Sequence, residues 1–162
     1  MNLRARPPEA LLARYAELID AGDFDGVGRL FAHAVITDPS GSVVAQGASE
    51  VAALYRSTTR RFADGTPRTK HLTTNQIVAL DDDGATALVR SYFVVLQQVD
   101  DGPLQPIVAG RYRDRLDHVN GTWRFASRQM LPALLGDVSK HLLFDVSRLA
   151  DGRTNSGEQG LR

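Results

Sequence analysis

The chain has 162 residues, the size of one domain with one substantial core. Nineteen Lys and Arg offset nineteen Asp and Glu, which argues against binding a nucleic-acid backbone, because that needs a basic excess or stripe. Cysteine is absent, so disulfides, thiolate nucleophiles and zinc–thiolate sites are excluded. Residues 1–8 form a charged, proline-ended arm without the apolar stretch of a signal peptide, and no run of about 20 apolar residues follows. A cytoplasmic protein that engages neither membrane nor nucleic acid is the expectation. Pro7-Pro8-Glu9 predicts a helix start, since proline suits the first turn and an acid complements the dipole. Leu11, Leu12, Tyr15, Leu18 and Ile19 then recur at helical spacing until Asp20-Ala21-Gly22. A short second helix is predicted over 23–31, a short strand over 35–37, a turn at Asp38-Pro39-Ser40-Gly41 and a partner strand over 43–45. A third helix over 48–62 has Val51, Leu54, Tyr55 and Phe62 on its apolar side.

Beyond residue 68 the period changes from helical to two. Residues 69–80, 85–99, 107–116 and 122–130 read as four long strands, joined at Asp82-Asp83-Gly84, Asp101-Gly102-Pro103 and Asn120-Gly121. Pro132 and Gly136 punctuate the end of the last strand. A final amphipathic helix is expected over about 137–149, able to serve as a lid or as an interface, and residues 150–162 read as a flexible tail. No internal repeat is present. Three helices followed by a strand meander is an α+β order. A strongly curved antiparallel sheet wrapped around the N-terminal helices makes a cone whose interior can hold a ligand.

Several strings, in this order and spacing, carry a resemblance: Arg14-Tyr15, Leu18 to Gly26, Leu30-Phe31-Ala32, His71-Leu72-Thr73-Thr74-Asn75, Ala109-Gly110-Arg111-Tyr112 and Gly121-Thr122-Trp123-Arg124-Phe125. Over roughly residues 9–145 the chain resembles the nuclear transport factor 2-like superfamily, and within it the SnoaL-like proteins. That resemblance implies the cone-shaped α+β barrel over residues 9–149. It also implies one of several activities found on the fold: dehydratase, ketosteroid isomerase, polyketide cyclase, dehydrochlorinase, or the non-catalytic small subunit of a ring-hydroxylating dioxygenase.

His71 is the first chemical candidate, because an imidazole with a pKa of about 6.5 takes or gives a proton near neutrality. It needs a carboxylate to orient it, and the resemblance supplies Asp20, which matches the aspartate paired with a histidine in the family's dehydratases and dehydrochlorinase. Tyr15 matches a tyrosine that donates to a substrate oxygen. Read as residues alone, His71 is equally a hydrogen-bonded strand residue, Asp20 a helix terminus and Tyr15 a core tyrosine. Asp38 resembles the general-base aspartate of ketosteroid isomerases but stands in a turn motif; the isomerase's second aspartate has no counterpart near Gly110 or Arg111. Arg128 matches an arginine that steadies a leaving anion in the dehydrochlorinase. Strict alternation places it with Arg124, Ala126 and Met130, opposite the aromatic face of Trp123 and Phe125. Asn75, Tyr55 and Tyr112 complete the expected substrate contacts.

Arg111, Arg113 and Arg115 read as a solvated sheet face, with Asp114 and Asp117 among them. His33, His118 and His141 lie at a helix end, a hairpin and a polar helix face; no two histidines have ligand spacing, so neither metal nor cofactor is expected. The functional expectation is a cofactor-free lyase or isomerase for a small hydrophobic oxygenated ring compound, acting as a homodimer or homotrimer.

Overall fold

The computed structural model describes residues 7–145. Helix α1 spans Glu9–Asp20 and buries Leu12, Tyr15, Leu18 and Ile19. It ends at Gly22, whose φ of 71° and approach to the Gly65 carbonyl leave no room for a Cβ. Helix α2 spans Phe24–Leu30 and is capped by the Asp23 carboxylate, which accepts the Gly26 N–H at 2.7 Å. Strands β1 (Val35–Thr37) and β2 (Val43–Gln46) form the expected hairpin. Helix α3 spans Gly47–Thr58, shorter than expected. The Ser57 and Thr58 hydroxyls turn back to the Leu54 carbonyl, and Thr59 is extended. Phe62 therefore lies outside the helix, under the Arg68 guanidinium.

Strands β3 (Thr69–Leu80), β4 (Thr86–Gln97), β5 (Gln105–Val119) and β6 (Thr122–Leu135) complete one six-stranded sheet of order β2-β1-β6-β5-β4-β3. All neighbours are antiparallel except β1 and β6. The sheet is curved and open, and it wraps the helices, which is the nuclear transport factor 2-like cone. Strand β6 runs through Pro132 because β1 leaves it at Gln129, so that the proline falls where that edge is free.

Register shifts interrupt β3 between Thr74 and Ile77, β4 between Val95 and Leu96, and β5 beside Gly110 and Leu116. Such bulges bend a strand and reverse its in–out order. At Gly110 the two strands come so close that an added Cβ would lie 2.3 Å from the Leu131 carbonyl oxygen and 2.9 Å from the Phe93 ring. A Gly110→Ala variant is expected to lose roughly 1–3 kcal/mol, as overpacked cores do, read as an earlier urea midpoint.

The expected last helix is not formed over 137–145. The Asp137 carboxylate accepts the Ser139 N–H, and the chain then runs as an irregular strap across the end of α3. Its backbone pairs there: Leu142 bridges Thr59, Leu143 N–H donates to the Thr58 carbonyl at 2.9 Å, and the His141 carbonyl accepts the Arg60 N–H at 2.8 Å. The remainder of that expected helix, 146–149, and the expected tail, 150–162, lie outside the described residues, as do residues 1–6 of the N-terminal arm.

Candidate active site

Asp20 closes α1, and the Gly22 turn holds its carboxylate against the start of β3. Oδ1 lies 2.6 Å from His71 Nδ1 and accepts the Thr69 hydroxyl at 2.8 Å; Oδ2 accepts the His71 backbone N–H at 2.9 Å. Strand β3 is an edge of the sheet, so Asp20 also occupies a donor that the sheet leaves unpaired. The His71 side chain is 6% exposed and that of Asp20 11%. Burial alone would push the Asp20 carboxyl up. The His71 ring, the His71 N–H and the Thr69 hydroxyl outweigh it and hold the carboxyl below its ordinary value. An ionised carboxylate only accepts, so Nδ1 carries the proton. Nε2, without a hydrogen-bond partner among the described residues, is then the ring nitrogen left open to a ligand.

Tyr15 lies one and a half turns before Asp20, and its ring meets the His71 ring edge-on at 6.2 Å. Its hydroxyl shares a 2.8 Å hydrogen bond with Tyr55 of α3. Tyr112 of β5 packs edge-on against Tyr15 and stacks on Phe93. Burial, reinforced by the neighbouring Tyr15, pushes the Tyr55 and Tyr112 phenols well above their ordinary values, so both stay neutral hydrogen-bond donors at any physiological pH.

Arg128 is fully buried, as is its partner Asp114: Nε and Nη2 donate to the two Asp114 oxygens at 2.7 and 2.8 Å. The guanidinium lies 4.0 Å from the Tyr112 ring centre and 4.3 Å from that of Tyr15. Burial opposes its charge, but the Asp114 carboxylate more than compensates and holds its pKa above that of an ordinary arginine. Here the strict alternation read from the sequence is corrected. Arg115 pairs with Ser127 and Leu116 with Phe125, so Ala126 is the extra residue of a bulge. Phe125 and Arg128, three apart, therefore both face the interior.

Two further expectations are corrected. Asn75 is exposed at the β3 bulge, with a φ of 52°, not an interior contact. The same bulge sends Ile77 outward and lines Val78 up with buried Val89. The Asp38 carboxylate is spent on its own turn, accepting the Ser40 N–H, the Ser40 hydroxyl and the Ser42 N–H. The Ser40 hydroxyl bond is the main cause of its lowered pKa, the opposite of what a general base at neutral pH requires.

Asp114 and His141 were not among the expected site residues. The signal for Asp114 was its shared face with Tyr112 and Leu116, opposite the exposed arginines. His141 was hidden by the helix pattern of a segment that does not form one. It is 7% exposed, and its Nδ1 has no partner among the described residues. Burial, with His71 nearby, pushes it down from 6.5 to about 4. Between those values the folded state binds fewer protons than the unfolded chain. The stabilisation is therefore complete above about pH 6.5 and is lost on acidification toward 4, by up to about 1.4 kcal/mol per pH unit. The lowered Asp20 carboxyl adds loss of the same sign further down. Urea melts at roughly pH 7 and pH 5 should show the decline, and His141→Leu should flatten it.

Two surface hollows, at Asp64, Arg68, Gln98, Asp100 and Asp101 and at Asp25, Arg29, Ser49 and Arg56, are lined by none of these site residues. Among the described residues no three His, Asp or Glu side chains are grouped to hold a metal ion, and no helix is long and apolar enough to cross a membrane.

The geometry can be set beside known proteins. A protein of unknown function from Mycobacterium tuberculosis is 29% identical, with a TM-score of 0.62 over 78% of this chain and 70% of its own. A protein described as a scytalone dehydratase from Novosphingobium aromaticivorans is 19% identical, with a TM-score of 0.61 over 80% of this chain and 83% of its own. The β subunit of an aromatic-ring-hydroxylating dioxygenase from the same organism is 20% identical, with a TM-score of 0.60 over 79% and 88%. The latter two likenesses are of fold alone. The SnoaL-like domain model matches residues 9–129, a span that holds α1 to α3, the Asp20–His71 pair and the Arg128–Asp114 pair, and the chain belongs to the SnoaL-like domain family.

Proposed function

We propose that this protein is a cofactor-free lyase or isomerase for small, hydrophobic, oxygen-bearing ring compounds, with His71 as the proton-transfer group and Asp20 as its positioning residue. The observation that carries the reading is the buried Asp20–His71 pair: the carboxylate fixes Nδ1 and the backbone of the same residue, and leaves Nε2 as the one basic atom. Nε2 would take a proton from a carbon next to a carbonyl, and the electron pair would move onto the carbonyl oxygen. The hydroxyls of Tyr15, Tyr55 and Tyr112, above a fixed guanidinium, suit a developing oxyanion. The imidazolium would then return its proton, to a departing hydroxyl so that water leaves, or to a second carbon so that a double bond shifts. The aromatic rings packed about the pair, Tyr15 edge-on to His71 and Tyr112 edge-on to Tyr15, suit an apolar ring as ligand.

Solvent-deuterium exchange tests the first step without knowledge of the full reaction. In D2O the protein should catalyse exchange of the acidic C–H of a cyclic ketone such as 2-tetralone, followed by proton NMR, and His71→Ala should not. Equal exchange by both proteins would remove His71 from the chemistry.

A further inference from the structure

We propose that His141 is a ligand-contacting residue of the His71–Asp20 site, carried there by the strap 137–145, and that its unpartnered ring nitrogen is kept for a polar group of the bound molecule. This deepens the function proposed above and rests on it.

The strap's backbone is well satisfied: the His141 carbonyl accepts from Arg60, and its N–H donates to Val138 at 2.9 Å. The side chain is not. Its Nδ1 is buried without a partner among the described residues, and native proteins leave few buried polar atoms so. Contacts lead from it straight to the dyad. Gln97 Nε2 donates to the carbonyls of Pro67 and of Lys140, the residue before His141. Gln97 stands opposite Thr69 in the β3–β4 register, and the Thr69 hydroxyl bonds Asp20. The titratable groups that act on His141 are those same two, His71 and Asp20, and burial keeps its imidazole neutral at neutral pH. It can therefore meet a carbonyl or hydroxyl oxygen without adding a charge. Ser91 Oγ on β4 and Arg128 Nη1 on β6 are also unpartnered among the described residues, but neither belongs to the strap.

Binding of two probes, 2-naphthol and 2-cyclohexenone, is to be measured by fluorescence and NMR titration. The proteins are wild type, His71→Ala, His141→Leu and His141→Asn, whose amide stands where Nδ1 stood. The expected result is a loss of about tenfold or more in affinity for His141→Leu, with His141→Asn within about threefold of wild type. Unchanged affinity in His141→Leu beside weakened binding in His71→Ala overturns the role of His141 and leaves the proposed function standing. Unchanged affinity in both, or no binding by wild type, overturns both. If His141→Leu does not fold, His141→Gln replaces it, its amide standing where Nε2 stood. Gln is expected to bind tenfold more weakly than Asn, and equal affinities overturn the proposal.

Discussion

Asp114→Ala is expected to be severely destabilising, by about 3–5 kcal/mol, with a melting temperature lower by roughly 10 °C. Both members of the Arg128–Asp114 pair are fully excluded from solvent, and the two parallel hydrogen bonds are what make the buried guanidinium tolerable. Removing the carboxylate strands a cation whose remaining neighbours are the faces of Tyr112, Tyr15 and Phe125. Removing both charges should do far less harm. The double variant Asp114→Leu with Arg128→Met keeps the volume and discards both desolvation penalties, so it should unfold near the wild type or later. Urea melts of the three proteins decide the matter. A loss under about 1 kcal/mol in Asp114→Ala would mean that water reaches the pair. If the double variant is as stable as expected, the pair is not kept for stability, and its place beneath Tyr15 and Tyr112 becomes the reason for it.

His71→Ala should behave in the opposite way: a modest change in stability and a loss of about 10²–10⁴-fold in turnover, the usual worth of a positioned acid or base. Asp20→Asn keeps the shape of the side chain but not its charge. An amide can place its NH2 against Nδ1 and invert the tautomer, so that Nε2 faces the substrate already protonated and cannot act as the base. The loss should then approach that of His71→Ala, with KM little changed, since the carboxylate acts through His71 and not on the substrate. Both follow from kinetics on any substrate found by the exchange experiment. Full activity in Asp20→Asn would show that the carboxylate only staples α1 to β3.

Much of the fold was legible because its signals are local. Residues 69–80 were readable from period-two patterning to the residue, and Asp82-Asp83-Gly84 and Asn120-Gly121 mark the turns after β3 and after β5. The inward direction of Arg128, which the resemblance had already named, was not legible, because a bulge at Ala126 is a property of two strands in register and not of one sequence. The same holds for Asn75, whose bulge sits opposite Ser91 on β4. The strap failed for another reason. Its apolar residues keep helical spacing, but Asp137 forms a local turn and Thr58–Arg60 offer backbone partners that no window of sequence displays. Asp20 and His71, 51 residues apart, became a pair only through family resemblance; their geometry needed the Gly22 turn and the unpaired edge of β3.

The dyad itself is tested most directly by the ring nitrogen resonances of His71, recorded by 15N NMR in the wild type and in Asp20→Asn at a pH where the ring is neutral. The expected wild-type spectrum has the proton on Nδ1, slow to exchange in its hydrogen bond to Asp20, and a bare, basic Nε2. In Asp20→Asn that proton should shift to Nε2 or exchange rapidly. A wild-type His71 protonated on Nε2, or a ring whose tautomer ignores the loss of Asp20, would contradict an oriented base and with it the chemistry assigned to this site.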